Sequence, residues 1–490
     1  MSAEIIGRVT ERALLSRMLF SDKPEFLALY GRRRVGKSFL VNEHLGRQGT
    51  FFELLGSKGA AREVHIARFM TELCGVFGLS RYDDDPPAWA EAFEIMKRAI
   101  DARITAAPDE RIVLFFDELP WIDGQDSGFL GALDYFWNKY ISKSRYKNVL
   151  LIVCGSAASW MIRKVINDKG GLHNRITATL RLLPFTLGET KAFLAANRVR
   201  LSNRQVCEIY MALGGIPPYL AHVQPGQSSA QAIDAVCFAE QAPLREEFGR
   251  LYASLFENHH NHVKIVTALA TAHAGLDRSA LMRKAGLSLG GGATVLLQEL
   301  EESGFIQARR NLDLKSKGTR YFLTDEYTAF YLRWIANSAL VMSNAGQNLW
   351  SQQQNSGVWH AWAGLAFESI CFKHTPQIKA ALGIGGVLTR ESGWYYCPKP
   401  ESGERGAQVD MVIRRADRTT HLCEMKFRVS AFALTRQDRE TLLARKEIYR
   451  QATGSTDQIF TTMVTAFGVK ENQHALAAVD SQVTLDSLFD

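Results

Sequence analysis

Three short stretches carry residues whose types and spacing suit phosphate chemistry. The first is Gly31-Arg32-Arg33-Arg34-Val35-Gly36-Lys37-Ser38, with the spacing G-x-x-x-x-G-K-[ST]. Its glycines let successive backbone N–H groups turn onto phosphate oxygens, and the start of the next helix adds a positive end. Lys37 would place a point charge at the β/γ-phosphates of ATP, and Ser38 would offer a hydroxyl to Mg²⁺. The second is Asp117-Glu118, at the end of the apolar run 112–116. There Asp117 would orient Mg²⁺ through water and Glu118 would polarise an attacking water. The third is "HLCEMKF" at 421–427, where Glu424 and Lys426 share one face of a strand. Such a pair is either half of a metal site or a salt bridge on a wet strand face. The same spacing occurs at Glu189 and Lys191, which the pattern puts at a helix start.

These residues need particular elements around them. The runs at 26–30, 112–116 and "NVLLIVCG" are continuous and apolar, as parallel strands buried on both faces require. Acids at the end of such strands emerge where open α/β sheets bind ligands. Ser156 ends the third run, positioned either to bond the γ-phosphate or lytic water or simply to make a turn. Near the C-terminus, "AQVDMVIRRADRTTHLCEMKF" reads as a hairpin with strands at 408–413 and 420–427. That pairing brings Asp410 close to Glu424. An amphipathic helix with Trp359, Trp362, Leu365, Ala366 and Ile370 on its apolar side carries Glu368. Converging carboxylates repel unless a cation joins them. Mg²⁺ held by Asp410 and Glu424 would keep waters, and one of these, deprotonated with the help of Lys426, would attack a phosphodiester.

The chain has 490 residues, enough for about three or four domains. A net charge of +7 permits a nucleic-acid partner without requiring one. Seven scattered cysteines without a C-x-x-C pair argue against zinc and against a disulfide framework. The early charges in "MSAEIIGRVTER" do not suit a signal peptide, and the longest apolar run is too short and broken for a membrane span. A cytoplasmic location without a membrane partner is expected.

"IIGRVTE", "ALYGRRRVGKS", "LFFDEL", "VCGSA" and "GGIPPYL" together resemble the archaeal-type P-loop ATPase family, which is similar to AAA+ and STAND ATPases. The resemblance covers roughly the first 240 residues. It implies an ATP-binding core with a small helical lid, with Gly7 and Arg8 near the adenine and Gly215-x-Pro217 as the lid step toward the base. It also implies an arginine able to sense the γ-phosphate, here Arg175, within one subunit or across a homo-oligomer. Read from the residues alone, Arg175 is a lone arginine in a polar loop. The C-terminal set Glu368, Asp410 and Glu424-x-Lys426 resembles PD-(D/E)XK nucleases, domains that this ATPase family often carries.

Between these ends, residues 260–324 read as three helices and a two-stranded wing, similar to winged helix-turn-helix modules. The third helix carries Glu299, Glu301 and Glu302 and no Lys or Arg between 292 and 303, so it suits base reading poorly. The wing carries Arg309, Arg310, Lys315, Lys317 and Arg320 against Asp313, which suits either a DNA backbone or a purely structural join. "TDEYTAFYLRWIANSALV" reads as a packing helix, and 343–357 as a linker. The basic stretch with Arg428, Arg436, Arg439, Arg445, Lys446 and Arg450 suits a phosphate backbone or a solvated helix face. The expected architecture is α/β: a P-loop NTPase parallel sheet (1–165) with a helical lid (166–250), a winged helix (251–340) and a small α/β nuclease-like domain (345–490). The expected function is an Mg²⁺-dependent ATPase whose nucleotide state controls the C-terminal domain on DNA. A signalling or assembly switch with a docking-only C-terminal domain is the alternative.

Overall fold

The three apolar runs form buried strands of one parallel sheet. The strands are β1 (Glu25–Tyr30), β2 (Thr50–Leu55), β3 (Ile112–Asp117), β4 (Val149–Gly155) and β5 (Ala178–Arg181), in the order β2-β3-β4-β1-β5. The computed structural model describes residues 4–80, 86–124, 127–167, 172, 174–256, 258–310, 318–336, 349–354, 356–398 and 405–490. It divides into two compact units, Met1–Pro184 and Phe185–Asp490.

In the first unit every residue of β3 and β4 is buried. One face of the sheet packs on the helices Arg62–Phe77, Trp89–Ala106 and Phe129–Phe136 through an aromatic core of Phe52, Phe69, Trp89, Phe93, Phe116 and Phe129. Each such ring removed from water contributes about 1.5–3 kcal/mol. β5 lies beyond the boundary expected at residue 165, yet it pairs with β1 from Leu27↔Ala178 to Tyr30↔Arg181 and completes the sheet. That pairing also constrains the loop after β1. At Gly31 the φ angle is +150°, and a Cβ there would stand 2.3 Å from the Leu182 carbonyl oxygen. Only glycine lets the loop leave β1 beside its neighbour.

The second unit opens with helices Leu187–Ala196 and Asn203–Leu213. Glu189 is the third residue of the first helix and returns a carboxylate to the N–H of Thr186, as its sequence position predicts. Between residues 259 and 323 stand three helices, His259–Ala270, Arg278–Ala285 and Gly291–Glu302, and an antiparallel pair, β6 (Ile306–Arg310) and β7 (Thr319–Leu323). The three acids of the third helix hold the local fold together. Glu299 meets His262 at 2.9 Å, Glu301 accepts the Ala308 N–H at 2.8 Å, and Glu302 accepts from Gln298 at 2.7 Å. Asp313, Lys315 and Lys317 lie outside the described residues.

Part of the expected linker is packed structure. Leu349–Gln353 is a helix whose Trp350 is buried, with the backbone N–H groups of Trp350 and Ser351 donating to the Asp234 carboxylate. Trp350 packs against Phe330, Trp334 and Trp362, so the aromatic segment Glu326–Ile335 serves packing, as its spacing indicates.

The C-terminal sheet holds β8 (Thr389–Tyr396), β9 (Ala407–Arg415), β10 (Thr419–Lys426), β11 (Gln458–Thr465) and β12 (Ser481–Thr484), in the order β12-β11-β10-β9-β8. β8, β9 and β10 run antiparallel, and β10, β11 and β12 parallel. The helix Gly357–Lys373 presents Trp359, Ala363, Phe367, Ile370 and Cys371 to the core. The expected stripe through Trp362, Leu365 and Ala366 instead lines a cavity on the helix's other side. Apolar residues three and four positions apart occur on more than one side of this helix, so periodicity alone could not choose between them.

Gly215 owes its identity to a close approach inside this unit. A Cβ there would fall 2.0 Å from the Phe185 carbonyl oxygen, and the Phe185 N–H donates to Gly215 O at 2.7 Å. Gly215→Ala is expected to cost about 2–4 kcal/mol, read as a fall in the denaturant midpoint. An unchanged midpoint would mean that the two segments do not pack at this distance.

Candidate functional site

At the nucleotide end, the loop after β1 turns directly into the helix Lys37–Leu45. Arg34 and Gly36 take left-handed conformations, at φ +70° and +92°. The Lys37 ammonium is buried and donates to the carbonyls of Gly31 (3.0 Å) and Arg32 (3.1 Å). Ser38 Oγ donates to Asp117 Oδ2, although β4 separates β1 from β3 in the sheet. Asp117 Oδ1 also accepts the Glu118 N–H at 2.9 Å. The hydroxyl and the carboxylate expected at Mg²⁺ are therefore adjacent, and their donor chemistry fits that cation.

Glu118 sits at φ +49°, an uncommon conformation for a side chain of its size. Its Oε2 accepts from Ser156 Oγ at 2.8 Å and from the Ser156 N–H at 3.2 Å. Sequence reasoning aimed Ser156 at phosphate or water; its partner here is the catalytic candidate Glu118. The segment before the first helix also joins this site. Gly7 and Arg8 are both left-handed, and Arg8 donates to Val35 O at 3.2 Å and meets Glu11 at 3.5 Å. Arg8 thus braces the phosphate loop itself. Val35 is buried, whereas Arg175 is exposed on a turn before β5. Pro217 opens the short helix Pro217–Leu220 in the second unit, after Gly215.

In the second unit the strand pairing brings the carboxylates together. Between Ser392↔Val412 and Trp394↔Val409, β8 supplies only Gly393 while β9 supplies Met411 and Asp410. This bulge re-aims Asp410. Its Oδ2 accepts the Met425 N–H of β10 at 2.9 Å. Glu424, 8% exposed, is held by Lys426 Nζ at 2.6 Å and by Arg445 from the helix Arg436–Thr453. Burial, reinforced by Asp410 and Glu424, raises the Glu368 carboxyl well above the ordinary range. Burial and Glu424 raise Asp410 likewise. Burial alone would lower Lys426, but Glu424 and Asp410 outweigh it and keep the ammonium charged. Lys426 thus supplies charge here and is no proton acceptor.

Three repelling carboxylates make a donor set that a hard cation would relieve. Among the described residues, however, no three of His, Cys, Asp or Glu stand close enough to enclose a metal ion. Arg445 occupies Oε2 of Glu424 and Lys426 its Oε1. Much of the basic stretch is engaged as well: Arg436 with Glu440, Lys446 with Asp480 and Arg450 with Glu447, while Arg428 is exposed. Of the wing cations, Arg309 lies over Phe372 of the helix Gly357–Lys373 at 3.7 Å and Arg320 over Tyr395 of β8 at 4.1 Å. Neither the Arg445 pair nor the wing contact has a local sequence signal, because each joins segments far apart in the chain.

Residues 6–223 match the family described as an ATPase domain predominantly from Archaea. The chain therefore carries an ATPase-type domain, and Gly31–Ser38, Asp117, Glu118 and Ser156 all fall inside it. Over 450 residues the chain is 22% identical to the uncharacterized protein MJECL04 of Methanocaldococcus jannaschii, covering 91% of each. Among solved structures it resembles the Walker-type ATPase PABY2304 of Pyrococcus abyssi, at 19% identity and a TM-score of 0.47, over 67% of this chain and 96% of that one. It also resembles the Aeropyrum pernix ORC2 protein, at 16% identity and a TM-score of 0.40, over 67% and 92%. No helix among the described residues is long and apolar enough to cross a membrane.

The carboxylate cluster has a pH signature. Folding raises Glu368 from an ordinary value of 4.5 to about 8, so across that window the folded chain keeps a proton that the unfolded chain releases. Stability therefore falls as pH rises through it. In the presence of a chelator, Glu368→Gln is expected to gain about 1–2 kcal/mol over the wild type near pH 8 and little near pH 5. Thermal melts at the two pH values check this; a difference independent of pH would remove Glu368 from the cluster.

Proposed function

We propose that this chain is an Mg²⁺-dependent ATPase whose nucleotide state controls a C-terminal nuclease-like domain acting on DNA, working as a monomer or a homo-oligomer. In the first unit the loop 31–38 binds the phosphates, with Lys37 leaving the carbonyls of Gly31 and Arg32 for the β/γ-phosphates. Ser38 and Asp117 would hold Mg²⁺, which when bound neutralises phosphate charge. Glu118 orients the attacking water once it leaves Ser156. Gly7 and Arg8 would border the base, and Arg175 would meet the γ-phosphate within a subunit or across one. The winged-helix module would carry the nucleotide response onward.

The observation that carries the nuclease half is the cluster of Glu368, Asp410 and Glu424 beside a charged Lys426. Asp410 and Glu424 would hold Mg²⁺, which when bound offsets charge at a phosphodiester. Lys426 stabilises the anion that develops there, and Arg445 must first release Glu424. That same Arg445–Glu424 pair favours a second reading, in which the domain docks partners or DNA without cutting, and ATP sets only conformation and assembly.

Two experiments separate these readings. Lys37→Ala is expected to reduce ATP turnover at least about 100-fold, and unchanged turnover would sink the phosphate-loop assignment. Incubated with Mg²⁺ and plasmid, single-stranded or branched DNA, the wild type should cut and Asp410→Ala should not. Equal behaviour of the two would leave the docking reading.

A further inference from the structure

A cavity of about 170 Å³ lies between the β6–β7 hairpin and the C-terminal sheet, within the second unit. Its floor includes Glu368 and Asp410, and its walls include Arg309, Phe322, Phe372 and Tyr395. That volume corresponds to a sphere roughly 7–10 Å across, whereas a duplex presents a major groove of about 12 Å and is wider still. A space of that volume beside Glu368 and Asp410 admits one flat group.

The walls suit a particular group. Arg309 is clamped between rings, 4.6 Å from the centre of Phe322 and 3.7 Å from that of Phe372. Its Nε donates to Gln307 at 2.9 Å, and it makes no salt bridge among the described residues. Burial draws its pKa down to about 10, and Glu368 partly opposes this, so it remains a cation at neutral pH. A guanidinium in such a wall is suited to a phosphate. Tyr395, under the guanidinium of Arg320 at 4.1 Å, offers an aromatic surface of the kind on which bases stack irrespective of sequence.

We propose that this cavity receives a single unpaired nucleotide of a DNA strand. Its phosphate rests on Arg309, its base lies against the aromatic wall, and its sugar–phosphate link is turned toward Glu368 and Asp410. The inference rests on the nuclease-like reading for its choice of DNA, and it makes the substrate of that site a single strand, flap or frayed end instead of a closed duplex. The hairpin takes on a new task, since its Arg309 becomes part of the strand-binding wall.

The test measures binding apart from cutting. Full-length protein in chelator is titrated into a fluorescein-labelled oligothymidylate, followed by anisotropy, and competed with unlabelled single strand or blunt duplex at equal phosphate concentration. Single strand should compete at least about tenfold better, and Arg309→Gln and Tyr395→Ala should each weaken binding about tenfold. Far-ultraviolet circular dichroism and melting of both variants exclude loss of the fold, and Lys143→Gln, an exposed position of the first unit, should bind like the wild type. Equal competition by duplex, no binding, or wild-type binding by both cavity variants would overturn the proposal. Single-strand binding without metal-dependent cutting would leave the cavity assignment standing while the nuclease reading fails. Indiscriminate cutting of duplex would do the reverse.

Discussion

A carboxylate on a buried strand must be given a donor, and the chain meets that demand twice. Asp117 closes β3, whose every residue is buried, and it is satisfied by the Ser38 hydroxyl and the Glu118 N–H. Asp410 and Glu424 lie on neighbouring strands of the second sheet and draw on the Met425 N–H, Lys426 and Arg445. An unpaired charge in either place would cost several kcal/mol. The loops and helices around these strands are therefore placed as much by the need to solvate an acid as by apolar burial. In the first unit the donors are neutral and can be replaced by a cation. In the second, Lys426 and Arg445 are themselves cations and compete with one.

How far the chemistry was legible in the sequence follows from the range of each contact. The phosphate loop, its strand and its helix are contiguous, so spacing alone placed Lys37 and Ser38. The strand ending in Asp117-Glu118 was legible because continuous apolar runs occur where both faces are covered. The hairpin of Asp410 and Glu424 was legible for the opposite reason, its turn being short. Contacts between distant segments were not. Nothing local indicates that Ser156 donates to Glu118, that Arg445 reaches back 21 residues to Glu424, or that Arg309 stacks on Phe372. One feature of composition also misled. Polar residues around Trp350 read as a linker, although Asp234 caps that helix. The wing's arginines read as suited to a DNA backbone or to a structural join, and two of them lie against rings.

Glycine carries different meanings along the chain. Gly31 and Gly215 are required where backbones pass too closely for a Cβ. The second of these sits in the segment that resembles a lid motif, yet its immediate reason is the turn onto Phe185. A family motif and a packing constraint can thus coincide on one residue, and only the geometry separates them.

Gly393 has a different consequence. Opposite it, β9 spends two residues where β8 spends one, and Met411, Val412 and Ile413 are then buried in succession. The phase of β9 changes at Asp410, so the side of the sheet that this acid faces is set by a residue count and not by residue identity. Point changes around it would be absorbed far more readily than a single insertion or deletion between Val409 and Val412. Such a frameshift of faces would send the carboxylate to the opposite side while leaving every neighbouring letter of the strand intact.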